Sequence, residues 1–522
     1  MSVRRGGVVL PSLAAGVLLA LSLPPFGVWP SAFVGAALLY WRLRGLRLAA
    51  RILSGWAAGI GCFGIGLSWA VSFNWYGAVA LVLAESLTMA IAAALTPPQR
   101  GRAPAFVSAA TLAEALRLSW PFGGLPVGGV FLGQAGGPLL GAARLGGPLL
   151  LTATVWTGGV AVAHLGEAAR GWWGDRRVGG APWVGLAALA LVVVAGVGGA
   201  VAPDGGPAIR TVRVAAVQGG GVRGFGQFEI SQAGVFGAEL SASDRLEGSA
   251  QPASLVVWPE DVIALARPLA GSPQATTVAA LARWLDATVL AGVTITEADD
   301  TFRNEIVAWS PGGRIVSVFE KVHRVPFGEY VPFRGFFSHL ADLAAVPRDA
   351  IAGHGSGLMR TPAGPLGVLV SYEVFFAARG RSSVRAGAEM LVVPTNTSSY
   401  ANAQMPTQEV AADRVQAVEE GRDLVQAAPT GYSTFVTNRG VVRQRSGLSD
   451  RQVLVAPVPL RRGATLYERF GDLPTLVLSA LALAAGLAAG ILGRRRAGQG
   501  PPVVEHRRAV DGRLRRRDPT GE

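Results

Sequence analysis

At 522 residues, half of them hydrophobic and only 16% charged, the chain is too apolar for a water-soluble globular protein of its length and points to a membrane. Its net charge of +13 does not require nucleic acid, because the arginines concentrate in connections between apolar runs and in the C-terminal stretch, where they suit anionic lipid head groups. The single cysteine, Cys62, excludes an intrachain disulfide and a cysteine-ligated metal cluster, and its apolar neighbours make it a packing residue.

In chain order, apolar segments occur near 7–24, 27–42, 53–72, 75–96, 103–119, 146–165 and 182–202, with a last one at 473–493. Each is close to the roughly 20 residues that a spanning helix requires, although 27–42 and 103–119 are short and broken by glycine or proline. Arg4 and Arg5 precede the first segment. Arg42, Arg44, Arg47 and Arg51 separate the second from the third, Arg100 and Arg102 the fourth from the fifth, and Arg170, Arg176 and Arg177 the sixth from the seventh. The alternate connections, 24–30 and 71–75, carry no basic residue. By the positive-inside rule this pattern predicts a cytoplasmic N-terminus and about seven crossings within 1–203. An extracytoplasmic domain over 210–460 follows, then an eighth crossing at 473–493 and a basic cytoplasmic tail over 494–522, whose composition predicts disorder. Pro24-Pro25-Phe26 offers no small-residue cleavage site, so the first segment does not read as a signal peptide. The glycine-rich stretch 121–148 is expected to form a re-entrant or surface loop on the outer face, shaping a lipid entrance.

Within the outer domain, β-branched alternation predicts a strand at 212–218, and 255–258 reads as a strand ending in Pro259-Glu260. A helix at 277–285 and a strand at 289–295 follow, and 306–310 joins 314–319 through the turn Pro311-Gly312-Gly313. Further strands are expected at 366–370, 390–394 and 432–437, with a helix at 408–425. The alternation predicts an α/β layered domain. Glu260, Lys321 and Ser371 each follow a predicted strand, and strand ends far apart in sequence can converge on one rim. Lys321 is the only lysine in the chain. A site that needs a compact ammonium with three rotatable donors cannot be served by a planar guanidinium that never deprotonates.

Trp258-Pro259-Glu260, Glu320-Lys321 with Val325-Pro326-Phe327-Gly328-Glu329, and Ser371-Tyr372-Glu373 resemble the three signature segments of the apolipoprotein N-acyltransferases, membrane-embedded members of the nitrilase superfamily. The resemblance implies a multi-pass α-helical membrane region carrying an extracytoplasmic αββα sandwich. By position it makes Glu260 the general base, Lys321 the lysine that stabilises the oxyanion, and Glu329 and Glu373 supporting glutamates. The implied reaction of bacterial lipoprotein maturation moves an acyl chain from a phospholipid donor, through an acyl-enzyme, to the α-amino group of the diacylglyceryl-cysteine that begins an apolipoprotein. It takes place at the cell membrane and involves no metal or diffusible cofactor.

Two positions depart from the family. Ser371 stands where the family has its nucleophilic cysteine, and Asn396-Thr397-Ser398-Ser399-Tyr400 stands where an Asn-Asp-x-Trp-Phe-like run is usual. A hydroxyl is a far weaker acid than a thiol and depends on a base throughout its attack. Other readings of the same residues are open at this point. Glu329 and Glu373 can be salt-bridge partners of Lys321 or of nearby arginines, and Ser371 can pair with His323 or His339. The whole chain can be a catalytically silent homologue that binds lipid or lipoprotein beside an active paralogue, or a membrane-attached nitrilase-like amidase.

Overall fold

The computed structural model describes residues 6–173, 181–224, 231–248, 252–266, 268–297, 299, 301–339 and 346–498. Arg4, Arg5, Arg176 and Arg177 of the charge pattern, and the tail from 499 onward, lie outside the described residues.

The apolar segments form helices: α1 (Gly6–Ala20), α2 (Ser31–Arg42), α3 (Leu48–Gly66), α4 (Trp75–Leu95), α5 (Arg102–Arg117), α6 (Ala143–Trp173) and α7 (Pro182–Val201). Among the described residues, five stretches are long and apolar enough to cross a membrane: Leu48–Gly66, Trp75–Leu95, Leu140–Arg170, Pro182–Val201 and Leu473–Gly493. The first two helices are shorter than their apolar segments, because α1 stops ahead of Pro24-Pro25 and α2 starts only after Pro30. Small residues let the helices approach closely. A Cβ at Gly16 of α1 would overlap the Ala58 carbonyl oxygen on α3. Cys62 is fully buried in this bundle.

The domain is two sheets built in succession. The first half supplies β1 (Arg210–Gln218), α8 (Gln232–Ser243), β2 (Leu255–Val257), β3 (Ile263–Leu265), α9 (Pro273–Leu285), β4 (Thr288–Thr296), β5 (Thr301–Trp309), β6 (Ile315–Glu320), α10 (Arg334–Phe337) and β7 (Asp349–Ala350). The second half supplies β8 (Leu358–Thr361), β9 (Gly364–Val368), α11 (Ala377–Arg385), β10 (Met390–Pro394), α12 (Gln404–Glu420), β11 (Leu424–Ala427), β12 (Thr434–Val436) and β13 (Val442–Arg445). Then β14 (Gln452–Leu460) returns to the first sheet, and α13 (Leu466–Phe470) leads into α14 (Leu473–Gly498). The first sheet runs β14-β1-β2-β4-β5-β6, with β3 beside β4 and β7 beside β5; the second runs β13-β12-β11-β10-β9-β8.

Side-chain alternation explains the layering. Val212, Val214 and Ala216 of β1 face a core shared with Leu366, Val368, Met390 and Val392 of the second sheet. Ala215 and Val217 face the opposite way, into a cluster with residues of α8 and α9. Each fully buried Val or Leu in such a layer contributes roughly 1.5–3 kcal/mol relative to exposure. The outer face of the second sheet, through Leu391 and Val393, merges with α12 and the N-terminal helices in one apolar cluster. The domain is therefore an αββα sandwich whose last helical layer rests on the helix bundle.

Two expectations change here. The helix expected over 408–425 ends at Glu420, because Gly421 takes the left-handed conformation (φ +63°) and frees Leu424–Ala427 to become β11. The stretch 121–148 is not a surface loop over most of its length, although Phe122 and Gly123 are exposed at its start. Val127, Val130, Phe131 and Gln134 are buried, and Arg117 donates to the carbonyls of Leu125, Pro126 and Val127. Three of its buried carbonyls are thereby satisfied inside the fold.

Candidate active site

Three chain reversals carry the candidate residues. After β2 the chain bends at Trp258-Pro259 and presents Glu260, followed by Asp261 in the left-handed region (φ +59°). The bend passes so close to β4 that a Cβ at Gly292 would lie 2.5 Å from the Glu260 Cα. Lys321 follows β6 directly. Ser371 opens a short 3-10 turn, Ser371–Phe375, beyond β9, and its own φ of +49° is strained for a residue with a Cβ.

Lys321 and Glu260 are almost wholly buried. Lys321 Nζ donates to Glu260 Oε1 at 2.8 Å and to Glu329 Oε1 at 2.6 Å. Asn304 of β5 lies between them, its Nδ2 donating to Glu260 Oε1 at 2.8 Å and to Glu329 Oε1 at 3.3 Å. The other Glu329 oxygen accepts the Val325 N–H at 2.8 Å. One ammonium thus faces two carboxyl groups in a low-dielectric site. Burial pushes Glu260 up to about 8; Lys321 opposes that shift, while Asp261 and Glu329 add to it. Burial pulls the Lys321 ammonium down, but the two carboxylates outweigh it, so its pKa stands above the ordinary lysine value and it stays charged.

Glu373 joins this cluster to the Ser371 turn. It is fully buried. Its Oε1 accepts the N–H groups of Val322 (2.9 Å) and His323 (3.0 Å), just past Lys321, while its Oε2 accepts that of Val370 (2.9 Å), just before Ser371. Arg379 completes the set at 3.3 Å from Oε1. Tyr372 anchors the turn from the other side, donating to the Gly124 carbonyl at 2.9 Å. Both glutamates therefore make ion pairs, Glu329 with Lys321 and Glu373 with Arg379.

The half-buried Ser371 hydroxyl has a different partner from the one the sequence suggests. Among the described residues its Oγ is hydrogen-bonded to Thr395, at 3.0 Å from Oγ1, and not to Glu260 or Lys321. Thr395 ends the β10 side of the site, and its Oγ1 also contacts Glu409 Oε1 of α12 at 2.5 Å. The next residue, Asn396, reaches Asp261 Oδ2 at 3.5 Å, so 395–396 spans from the serine to the Glu260 bend. A Ser–His pair is not formed. His323 stacks on Phe376 with ring centroids 4.3 Å apart, and burial with the nearby Arg379 lowers it to about 4; His339 is exposed on the surface. Asn304, Thr395 and Glu409 were not singled out from the sequence. No local motif marks them, and only the folding of β5, β10 and α12 onto the strand ends brings them in.

The rim is aromatic. Tyr400 of the 396–400 run packs edge-on against Trp69 and Phe73 at 5.3 and 5.2 Å, and Phe122 packs against Phe327 and Phe333 at 6.2 and 6.0 Å.

Residues 15–161 match the family model of the apolipoprotein N-acyltransferase N-terminal domain, and residues 213–466 match that of the carbon-nitrogen hydrolases. A protein of Mycolicibacterium smegmatis named apolipoprotein N-acyltransferase is 30% identical over 96% of this chain and 87% of its own length. One of the same name from Azotobacter vinelandii is 29% identical over 95% of this chain and 98% of its own. Among solved structures, Saccharomyces cerevisiae Nit3, a member of branch 10 of the nitrilase superfamily, aligns with a TM-score of 0.38 at 17% identity, over 58% of this chain and 98% of that one.

Proposed function

This chain belongs to the apolipoprotein N-acyltransferase family, and on that premise we propose that it transfers a fatty acyl chain from a phospholipid to the N-terminal diacylglyceryl-cysteine of an apolipoprotein, with Ser371 as nucleophile. The observation that carries the reading is the buried Lys321–Glu260–Glu329 cluster, tied by Glu373 to a strained serine turn. Ser371 Oγ attacks the donor's ester carbonyl, and the lysophospholipid leaves from a serine-bound ester. The amine of the acceptor then attacks that ester and releases the serine. Glu260 acts as general base of the cycle, since a pKa near 8 lets it both give and take a proton close to neutrality. Lys321 uses two of its three N–H donors on carboxylates, which leaves one for the developing oxyanion. Glu329 and Glu373 hold the lysine and the turn. Aromatic residues at the rim suit a lipid donor entering from the bilayer. The arginine pattern of the connections supports cytoplasmic termini and an extracytoplasmic domain.

A second reading has an observation of its own: Ser371 makes no hydrogen bond to Glu260 or Lys321 among the described residues, as expected of a silent homologue that binds lipid or lipoprotein beside an active paralogue. The test is mass spectrometry of a reporter lipoprotein's N-terminal peptide in cells with no other N-acyltransferase. A third acyl chain is expected with the natural protein and none with Ser371→Ala. Acylation by Ser371→Cys alone would establish the silent reading instead.

A further inference from the structure

The Ser371 hydroxyl is bound outside the lysine cluster's own hydrogen bonds, to a threonine that is itself bound to a buried acid. One hydroxyl carries one proton, so Thr395 cannot donate to both neighbours. When Glu409 is ionised it only accepts, so in that state the Thr395 proton lies toward Glu409 Oε1 and the Thr395 oxygen accepts from Ser371. Thr395 is fully buried and Glu409 is 1% exposed. Glu409 Oε2 has no hydrogen-bond partner among the described residues. A buried carboxyl with one unsatisfied oxygen is costly to keep for packing alone.

Building on the reading of Ser371 as nucleophile, we infer that Thr395 and Glu409 form a proton relay for the serine, with Thr395 in contact with the reacting oxygen and Glu409 acting through it as a positioning residue. As Ser371 Oγ bonds to the acyl carbon, its proton passes to Thr395 Oγ1 while the Thr395 proton passes to Glu409 Oε1. Protonated Glu260 gives its proton to the departing lysophospholipid oxygen. In the second half-reaction the neutral acceptor amine attacks, Glu260 takes the surplus amine proton, and the serine oxygen regains its own from Glu409 through Thr395. Both carboxyl groups then stand as they began. A thiol ionises with modest help, whereas a hydroxyl needs such a route throughout the attack. Burial raises Glu409 to about 7, against the hydrogen bond from Thr395 and the charges of Lys321 and Arg223. Asp413 and Tyr400 are further titratable groups within its field.

The experiment is single-turnover acylation of the full-length protein in detergent micelles containing a phospholipid with a fluorescent acyl chain, in the natural Ser371 background and in Ser371→Cys. Thr395→Val is expected to slow serine acylation about 100-fold, and Thr395→Ser to restore it to within about 5-fold. In the cysteine background Thr395→Val should cost less than about 3-fold. Serine acylation should rise with pH through about 7, and Glu409→Gln should flatten that rise. Equal losses in both backgrounds, or no loss with Thr395→Val, would overturn the relay while leaving Ser371 as nucleophile. Acylation of Ser371→Cys with none of the natural serine would overturn both.

Discussion

Two buried clusters in this molecule hold one cation between two carboxyl groups. In the helix bundle, Arg117 binds Glu114 through Nε and Nη2 at 3.0 and 2.9 Å and reaches Glu85 at 3.4 Å, while three backbone carbonyls take its remaining donor capacity. In the domain, Lys321 binds Glu260 and Glu329 and no backbone carbonyl among the described residues. The two cations are equally hidden, at 1% and 2% side-chain exposure. The difference lies in the saturation of donors. A guanidinium whose whole fork is engaged is a staple, and here it fixes the 125–127 segment against α4 and α5. An ammonium with a donor left over can meet a charge that exists only during reaction. That contrast gives a physical reason for a lysine at 321 in a chain otherwise limited to arginine.

Exchanging the cations tests it most severely. Lys321→Arg keeps the charge but fills the space of the free donor, and acyl transfer to a reporter lipoprotein should fall about 1000-fold. Retention of a tenth of the rate would remove the distinction between the clusters. Lys321→Met should in addition destabilise the protein by about 3–5 kcal/mol in chemical unfolding, since Glu260 and Glu329 then share a buried site with no cation. The reciprocal change, Arg117→Lys, should cost roughly 2–4 kcal/mol through lost charged hydrogen bonds, with the rate per folded molecule within about tenfold of natural. A catalytic loss without a stability loss would assign Arg117 to chemistry instead.

Smaller effects are expected where the lysine cluster meets the serine. Glu373→Gln retains shape but turns an amide N–H toward at least one of three backbone donors, and should cost about 1–3 kcal/mol with a roughly tenfold slower transfer. An unchanged rate would show that the turn holds itself. The smallest effect concerns pH. Glu260 has a folded pKa raised from 4.5 to about 8, so the folded state binds the extra proton; the stability this provides is full below 4.5 and is lost as pH rises through 8. Between pH 6 and 7 the natural protein should lose about 1 kcal/mol more than Glu260→Gln does. A steeper loss in the variant would reverse the sign assigned to Glu260.

The sequence made some of this visible and hid the rest for identifiable reasons. Lys321 announced itself by composition, and Glu260 by following a strand and a proline. Glu329 and Glu373 were found through the resemblance of their segments. Asn304, Thr395 and Glu409 were not, because each meets its partner only once another element has folded against it, and a Glu in a helical stretch reads as solvated until the helix proves buried on nearly every side. Among the strands, β14 escaped because Pro457 and Pro459 argue against a ladder; it is an edge strand, where missing N–H groups on the open side are tolerated.

The C-terminal end of α3 leaves backbone carbonyls with no partner inside the helix. Two are met from the domain: Gln404 Nε2 donates to Ile65 O at 2.6 Å and Gln408 Nε2 to Gly66 O at 2.8 Å, both from the first turns of α12. The same two side chains turn their oxygens to Trp69 N and Gly128 N at 2.8 and 2.9 Å. A helix that is apolar enough to cross the bilayer is thus finished off by residues some 340 positions later, the second of them next to Glu409 in the chain. The hydrolase-like half is not cargo on a tether. Its floor and the ceiling of the bundle are one surface, cast together from residues of both.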